Sequence, residues 1–217
     1  MRFLFTIGLT IFLSTTVFGT AQAADRIIYN GKTYRLFTNP LESYFEKYPD
    51  KRPAGEVWST ALWRGYIATF EIKDNQLYIK KIEVEVFLDT IDYKRIWKNV
   101  LNEVFPNQEL VKIDWFTGLL VLPYGKLVNY VHMGYGSTYK HYILLEIDKG
   151  VLKQQKQFNY KKYEKFKKKQ FQAFKKTEEY EKTIIELEKS DRFENKQQID
   201  AFLKNFILEN TSKILVE

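Results

Sequence analysis

Cysteine is absent from the 217 residues of the sequence, and histidine occurs only twice, as His132 and His141. The lack of cysteine excludes a cysteine nucleophile, a thiolate zinc site and an iron–sulfur cluster, and it leaves stability to packing alone. Ser59 and Ser137 lie in no Gly-x-Ser-x-Gly elbow, so neither serine is a credible nucleophile. No set of residues forms a recognisable active site, and we expect no catalytic residue, no bound metal and no cofactor.

Long apolar stretches are also lacking, apart from one near the start of the chain, over residues 3–18. This stretch follows Arg2 and precedes Ala21-Gln22-Ala23, which is the order of a secretory signal peptide. It is shorter than the ~20 residues that span a bilayer, and serine and threonine interrupt it. We therefore expect a signal peptide over residues 1–23, cleaved after Ala23, and a periplasmic mature chain without a transmembrane segment. Secretion to the exterior is the alternative.

Lysine, in contrast, is abundant and unevenly placed. Residues 153–176 carry ten lysines against one glutamate, whereas residues 177–217 carry six basic against ten acidic residues. This shift in composition predicts a boundary near Gly150. We expect an α+β domain over residues 24–150, and a basic then acidic helical region over residues 151–217 that packs on the same domain.

Three hairpins are predicted in the first part of the chain. Extended runs flank Asn30-Gly31, which favours the type I′ turn, and others flank Asp74-Asn75. The third hairpin joins residues 126–133 to residues 138–147 through a loop at 134–137.

Two helices are predicted among these strands. The first covers residues 40–48, and the second covers residues 93–105, with Asp92 as its N-cap and Pro106 after its end. Strands mixed with isolated helices, without regular β-α-β alternation, favour an antiparallel sheet of hairpins with helices on one face.

From Leu152 onward the apolar spacing becomes helical and predicts a C-terminal amphipathic helical arm. At 100° per residue, five aromatic residues fall on one side and most lysines on the other. The aromatic side consists of Tyr160, Tyr163, Phe166, Phe171 and Phe174. Further helical stretches cover residues 183–189 and 195–208.

Two stretches resemble parts of a group of small bacterial proteins of unknown function. They are Leu62–Ile72, with the sequence LWRGYIATFEI, and Tyr130–Tyr139, with the sequence YVHMGYGSTY. The likeness covers about residues 35–150 and leaves out the basic arm. The resemblance implies a bacterial source and no established activity, and it marks both stretches as targets for mutation.

The two histidines share one face of the third hairpin if its loop is 134–137. Position 132 then pairs with 139 and position 130 with 141, so that His132, Tyr139 and His141 form a cross-strand cluster. Zinc requires a third protein ligand, and none is identifiable by spacing. A hydrogen-bonded aromatic and histidine cluster is therefore the better interpretation.

Two further motifs have simple structural interpretations. Gly134-Tyr135-Gly136-Ser137 lacks the Lys-Ser/Thr pair of a phosphate-binding P-loop, and a strand-to-strand turn explains both glycines. Glu83 and Glu85 share a strand face and suggest acid and base catalysis of sugar hydrolysis. Lys80 and Lys81 beside them favour an ordinary solvated face.

Trp63 and Arg64 open the third predicted strand, which covers residues 64–73, and leave two interpretations open. Tryptophan and arginine are the residues most enriched at binding hot spots, which favours an exposed anchor. A buried tryptophan with an arginine at a strand end is equally compatible with the sequence.

The lysine face of the arm is the strongest single feature. Its simplest explanation is solubility, because a helix docked by its aromatic side exposes polar residues to water. An acidic protein partner or an anionic envelope surface would also fit clustered lysines. Nucleic acid is not expected, since an exported protein seldom meets it. The candidate binding residues are Trp63, Arg64, His132, Tyr135, Tyr139, His141, Lys161, Lys165, Lys168 and Lys169.

These features together predict an exported non-enzymatic binding protein of the bacterial envelope. A toxin-neutralising immunity protein with an acidic partner is its most concrete version. A carboxylate-dependent peptidoglycan hydrolase and an accessory protein at the anionic membrane surface are the two alternatives.

Overall fold

A computed structural model describes residues 20–89, 92–190 and 192–217. Residues 1–19 of the predicted signal peptide lie outside this part of the chain. The described chain is mixed α and β, with nine strands in one mostly antiparallel sheet and five α-helices. None of these helices combines the length and apolar character that crossing a membrane requires.

The sheet has the strand order β2-β1-β3-β4-β9-β8-β7, and β5 and β6 both pair with β4. Only the β1–β3 pairing is parallel among those described. The strands are β1 (Asp25–Tyr29), β2 (Lys32–Leu36), β3 (Ile67–Lys73), β4 (Gln76–Asp89), β5 (Lys94–Asn99), β6 (Val111–Lys112), β7 (Gly118–Asn129), β8 (Thr138–Asp148) and β9 (Val151–Asn159).

Two short helices interrupt the strands and three longer helices end the chain. They are α1 (Glu42–Lys47), α2 (Leu101–Val104), α3 (Tyr160–Phe174), α4 (Glu178–Glu188) and α5 (Lys196–Asn205). Side-chain oxygens of Asn159, Thr177 and Asn195 accept hydrogen bonds from main-chain N–H groups and cap the last three helices.

The first two predicted hairpins are confirmed. Asn30 and Gly31 have φ angles of 50° and 72°, and Asp74 and Asn75 have φ angles of 50° and 58°. Both pairs lie in two-residue turns, whose type I′ geometry requires positive φ at both positions. Local turn chemistry therefore specifies these hairpins.

The helix predicted over residues 93–105 is wrong for its first half. Lys94–Asn99 forms β5, which pairs with β4 from Glu83 to Asp89, and only Leu101–Val104 is α-helical. Glu83 pairs with β3 on one edge and with β5 on the other, and β6 and β9 occupy that second edge only from Gln76 to Ile79, which leaves it open to β5 from Glu83 onward. All six residues of β5 are exposed, so their apolar spacing does not reflect packing against a core.

The helical pattern predicted from Leu152 is wrong for residues 151–159, which form β9. Lys149 and Gly150 have φ angles of 47° and 77° and form the turn of a β8–β9 hairpin. The helix begins only at Tyr160, directly after the capping residue Asn159.

The loop of the third predicted hairpin is also longer than expected. Asn129 pairs with Thr138, Leu127 with Tyr139 and Tyr124 with His141, so residues 130–137 all lie outside the ladder. Register shifts at two places in β7 account for the change of partners.

Residues 118–123 of β7 and 142–145 of β8 are buried on both faces and separate two hydrophobic cores. Leu120 and Leu145 belong to the first core, and Leu119 and Leu144 belong to the second. Side chains of α1 and α2 pack in the first core, whereas α3, α4 and α5 fill the second. The two helices that are predicted among the strands, α1 and α2, therefore pack in the same core.

The chain after β2 brings the two ends of the strand order together. The main-chain N–H of Phe37 donates to the carbonyl of Val121 at 2.8 Å, and Thr38 Oγ1 donates to the carbonyl of Leu119 at 3.0 Å. This crossing places residues 37–39 beside the loop 130–137, where several candidate residues meet.

Candidate functional site

Trp63 and Arg64 lie in the turn that precedes β3, and their side chains point to different environments. Trp63 is 57% exposed, whereas Arg64 is 2% exposed. Neither interpretation of the pair therefore holds as a whole. The tryptophan lies on the surface, and the arginine is buried. The candidate site is built around Arg64.

The guanidinium of Arg64 contacts three oxygen atoms. Nη1 donates to Tyr135 Oη at 2.9 Å, and Nη2 donates to the carbonyl of Ala23 at 2.8 Å. Nη2 also lies 3.5 Å from Asp25 Oδ1, which accepts a hydrogen bond from the main-chain N–H of Ala68 at 2.8 Å. Arg64 Nε and Asp25 Oδ2 are buried and have no partner among the described residues.

Tyr135 connects this ion pair to the loop 130–137. Its hydroxyl donates to Asn39 Oδ1 at 2.9 Å, and its ring stacks on Phe37 with centroids 4.7 Å apart. Tyr139 meets the edge of the same phenylalanine at 5.8 Å and accepts a hydrogen bond from Arg35 at 2.6 Å. The stretches Leu62–Ile72 and Tyr130–Tyr139 therefore meet at the contact between Arg64 and Tyr135.

Burial sets the charge states in this cluster. Burial raises the pKa of Asp25 to about 6, because the loss of hydration outweighs the attraction of Arg64. Burial also raises the pKa of Tyr135 to about 12, so its hydroxyl keeps its proton at neutral pH. Arg64 stays charged, since its neighbours hold the pKa of its guanidinium above the usual value.

A second polar chain lies beside the first. Burial also raises the pKa of Tyr66, whose hydroxyl donates to Glu42 Oε1 at 2.7 Å. Glu42 is in turn held by both terminal nitrogens of Arg52, at 3.1 and 3.0 Å. The Arg64–Asp25 pair is thus fully buried, whereas the Arg52–Glu42 pair beside it is partly exposed to solvent.

The predicted histidine cluster is not formed. His132 is exposed, with Nδ1 2.7 Å from Tyr130 Oη, whereas His141 stacks on Tyr124 with centroids 5.1 Å apart. The register of β7 and β8 explains the error, because it pairs His141 with Tyr124 and leaves His132 in the loop. No group of three His, Cys, Asp or Glu residues suited to a metal ion occurs in the described part of the chain.

Glu83 and Glu85 each lie beside an arginine. Glu83 is 3.0 Å from Arg26, and Glu85 is 3.9 Å from Arg95 on the paired strand β5. Ion pairs of this kind are typical of a solvated sheet face.

The four candidate lysines, Lys161, Lys165, Lys168 and Lys169, lie on α3, and all are exposed. None of them forms a salt bridge with a carboxylate of the described residues. On the opposite side of α3, four aromatic residues and one glutamine are buried in the second core: Tyr163, Phe166, Gln170, Phe171 and Phe174. The positive charge of this helix is therefore directed to solvent.

A shallow groove of about 540 Å³ adjoins these lysines. Lys168, Lys169 and Lys176 line it, together with Val216 near the end of the chain. A smaller groove of about 260 Å³ has the opposite character and includes Glu179, Glu186 and Glu209. The two grooves give this end of the molecule separate basic and acidic surfaces.

Sequence reasoning missed several residues that the structure places at these sites. Asp25 and Asn39 complete the Arg64 cluster, yet neither has a motif or spacing that marks it. Trp58 is 81% exposed and Tyr93 is 70% exposed, and no pattern in the sequence distinguishes them from core aromatics. Lys176 lies in the same basic segment as the predicted lysines, so charge density alone could have identified it.

Comparison of the chain with protein-family models, curated proteins and solved structures finds no match in any of the three.

Proposed function

We propose that the chain is an exported, non-catalytic binding protein of the bacterial envelope that recognises an acidic partner through the lysine face of α3. The observation that carries this proposal is the division of α3 into a buried aromatic side and an exposed lysine side without salt-bridged candidate lysines. In this proposal α3 is an amphipathic helical arm. An immunity protein that neutralises an acidic toxin is the most concrete form of this function.

The proposed export depends on the sequence of the first 23 residues, with its basic start, apolar stretch and Ala-x-Ala site. The proposed binding mode depends on charge. A cluster of exposed lysines attracts a negatively charged surface at long range, and added salt weakens this attraction. The groove beside Lys168, Lys169 and Lys176 offers such a partner a concave contact.

The hydrolase alternative has less support than binding. Glu83 and Glu85 are each engaged with an arginine, whereas acid and base catalysis needs two carboxyl groups on either side of a sugar bond. The membrane alternative shares the lysine face, because an anionic bilayer attracts clustered lysines by ~1 kcal/mol each. Whether the lysine face binds an acidic protein or anionic vesicles separates these two binding alternatives.

The test replaces Lys161, Lys165, Lys168 and Lys169 by Gln. We expect the free energy of unfolding to change by less than about 0.5 kcal/mol, since all four side chains are exposed. Association with the acidic partner in an envelope extract should become slower and less sensitive to salt. Replacing Phe171 or Phe174 by Ala should instead cost about 3–5 kcal/mol each, because both rings are buried.

The matched control replaces four exposed lysines elsewhere, Lys32, Lys73, Lys126 and Lys140, by Gln, which changes the net charge equally. This control should keep the partner. Equal loss in both variants would show that net charge alone matters, and binding to anionic vesicles in place of a protein would favour the membrane alternative. Loss of the partner in a folded Phe171→Ala variant would contradict the assignment of the two sides of α3.

A further inference from the structure

The four residues before the predicted mature start are bonded into the fold. Ala21 forms a parallel bridge with Gly134, in which Gln22 N donates to the Gly134 carbonyl at 3.0 Å and Gly134 N donates to the Thr20 carbonyl at 3.2 Å. Ala23 N donates to the carbonyl of Ala61 at 2.7 Å. Residues 20–23 therefore occupy a slot that has main-chain acceptors on both sides and a donor on one.

Side chains complete the slot. Gln22 Nε2 donates to the carbonyl of Thr60 at 2.8 Å, and Arg64 Nη2 donates to the carbonyl of Ala23 at 2.8 Å. The end of the slot is thus marked by a buried guanidinium, which has Asp25 as its single carboxylate neighbour.

Cleavage after Ala23 would empty this slot, and this step rests on the proposed export. The main-chain groups of Gly134 and Ala61 would lose their partners, and Arg64 would lose the Ala23 carbonyl. The same cut creates a new α-ammonium group on Ala24, next to Asp25 in the chain. Two cations would then meet one carboxylate, so this end of the slot would carry a net positive charge.

We propose that the mature protein binds an extended peptide with a free C-terminal carboxylate in the slot that residues 20–23 occupy here. The peptide pairs with Gly134 and Ala61 through its main chain, in the manner of strand addition. Its terminal carboxylate lies where the Ala23 carbonyl lies and accepts a charge-assisted hydrogen bond from Arg64.

The peptide Thr-Ala-Gln-Ala, which copies residues 20–23, is the probe. The full chain is exported and purified, and mass spectrometry establishes its N-terminus. Titration of the labelled peptide against protein that begins at Ala24 should give saturable binding. The same peptide with a C-terminal amide should bind about tenfold more weakly or worse, because it loses the charged acceptor.

Two controls isolate the slot without altering any buried side chain. A peptide methylated on the main-chain nitrogen of its Gln cannot donate to Gly134, and it should also bind about tenfold more weakly. A protein that begins at Thr20, produced behind a different leader, keeps its own segment in the slot and should not bind the peptide.

Several results would overturn the proposal. The peptide acid and the peptide amide could bind equally well, or the protein that begins at Thr20 could bind the peptide as well as the shorter protein does. The protein that begins at Ala24 could also fail to bind the peptide or fail to fold. Natural processing before Thr20 would also overturn it while leaving export intact. The peptide titration does not involve the lysine face, so its outcome is independent of the acidic partner.

Discussion

Arg64 is the residue around which the buried polar groups of this protein are arranged. Its guanidinium and the Asp25 carboxylate are both fully buried, and the remaining contacts of the guanidinium are with neutral oxygens. A buried ion pair adds little net stability, because desolvation offsets the attraction between the charges. Removing one partner is costly, however, since the other charge then stays buried without compensation.

We expect Arg64→Ala to lower the free energy of unfolding by about 3–5 kcal/mol. Trp63→Ala, its immediate neighbour, should change it by less than about 0.5 kcal/mol, because the indole is on the surface. Urea denaturation of both variants measures this contrast. Adding Asp25→Asn to Arg64→Ala should recover part of the loss. If Trp63→Ala lowers the free energy of unfolding more than Arg64→Ala does, the burial described for these two residues is wrong.

Asp25 should make stability depend on pH. Its pKa is raised from 3.8 to about 6 in the folded chain that retains residues 20–23. The folded state therefore holds a proton that the unfolded state releases between these values. The stabilising contribution of Asp25 is complete below pH 3.8 and is lost as pH rises through about 6.

Asp25→Asn removes this titration. The variant should gain stability relative to the parent, by about 2 kcal/mol, as pH rises from 4 to 7, since most of the effect of a shift of about two pKa units falls in this window. Urea denaturation at both pH values, on protein that begins at Thr20, provides the measurement. A constant difference between variant and parent, or one that shrinks with rising pH, would contradict the expected direction.

The sequence identified part of the Arg64 cluster and none of its geometry. Arg64, Tyr135 and Tyr139 were found because arginine and aromatic residues stand out in the stretches 62–72 and 130–139. Asp25 and Asn39 were missed because a single buried carboxylate or amide produces no periodic pattern. The histidine pair was misplaced because its cross-strand partners depend on register shifts in β7, which the sequence does not reveal.

At the scale of elements, the glycines of two hairpin turns differ in their surroundings. Gly31 has φ of 72° and nothing within 4 Å of the position where a Cβ would lie. Gly150 has φ of 77°, but its Cβ would lie 1.7 Å from the Ile113 carbonyl oxygen and 2.7 Å from Gln76 Nε2. The β8–β9 turn is therefore packed against the chain before β7, whereas the β1–β2 turn projects into solvent.

We expect Gly31→Ala to cost about 1 kcal/mol, the cost of placing a Cβ at positive φ. Gly150→Ala should cost several times more, because main-chain atoms must also move. Thermal unfolding of the two variants, which differ only in which turn is changed, measures the difference. Similar melting temperatures would show that the contact between Gly150 and Ile113 is not maintained in solution.

Elements with local causes were predicted and elements with distant causes were not. The turns at Asn30-Gly31 and Asp74-Asn75 depend on residues that are adjacent in the chain. Strand β5 pairs with the part of the β4 edge that β6 and β9 leave open, and β9 pairs with the edge of β8. The spacing of apolar residues in these two segments predicted helix, because it carries no information about pairing with a distant strand. Such pairing overrides the local preference.

The whole molecule consists of two cores joined through β7 and β8. The run Leu119-Leu120-Val121-Leu122 shows no alternation of apolar and polar residues, because both faces of the strand are covered. The three last helices cover one face, and the remaining strands with α1 and α2 cover the other. Damage to one core should therefore destabilise the other.

This coupling predicts one cooperative unfolding transition, and the tryptophans allow a direct test. Trp115 packs against the first core, whereas Trp58, Trp63 and Trp97 are 81%, 57% and 45% exposed. Replacing these three by Phe leaves Trp115 fluorescence as a probe of the first core. Far-ultraviolet circular dichroism follows mainly α3, α4 and α5, which pack in the second. Both probes should give the same midpoint in urea.

Substitutions of two neighbouring leucines on β8 test whether the two cores unfold together. Leu144 faces the second core and Leu145 the first, and neither is exposed to solvent. Either one replaced by Ala should cost about 2–5 kcal/mol, because each leaves a cavity. If β7 and β8 join the cores into one unit, each variant shifts both probes by the same amount. If Leu144→Ala shifts only the helical signal and Leu145→Ala only the Trp115 signal, the cores unfold independently and the C-terminal helices form a separate unit.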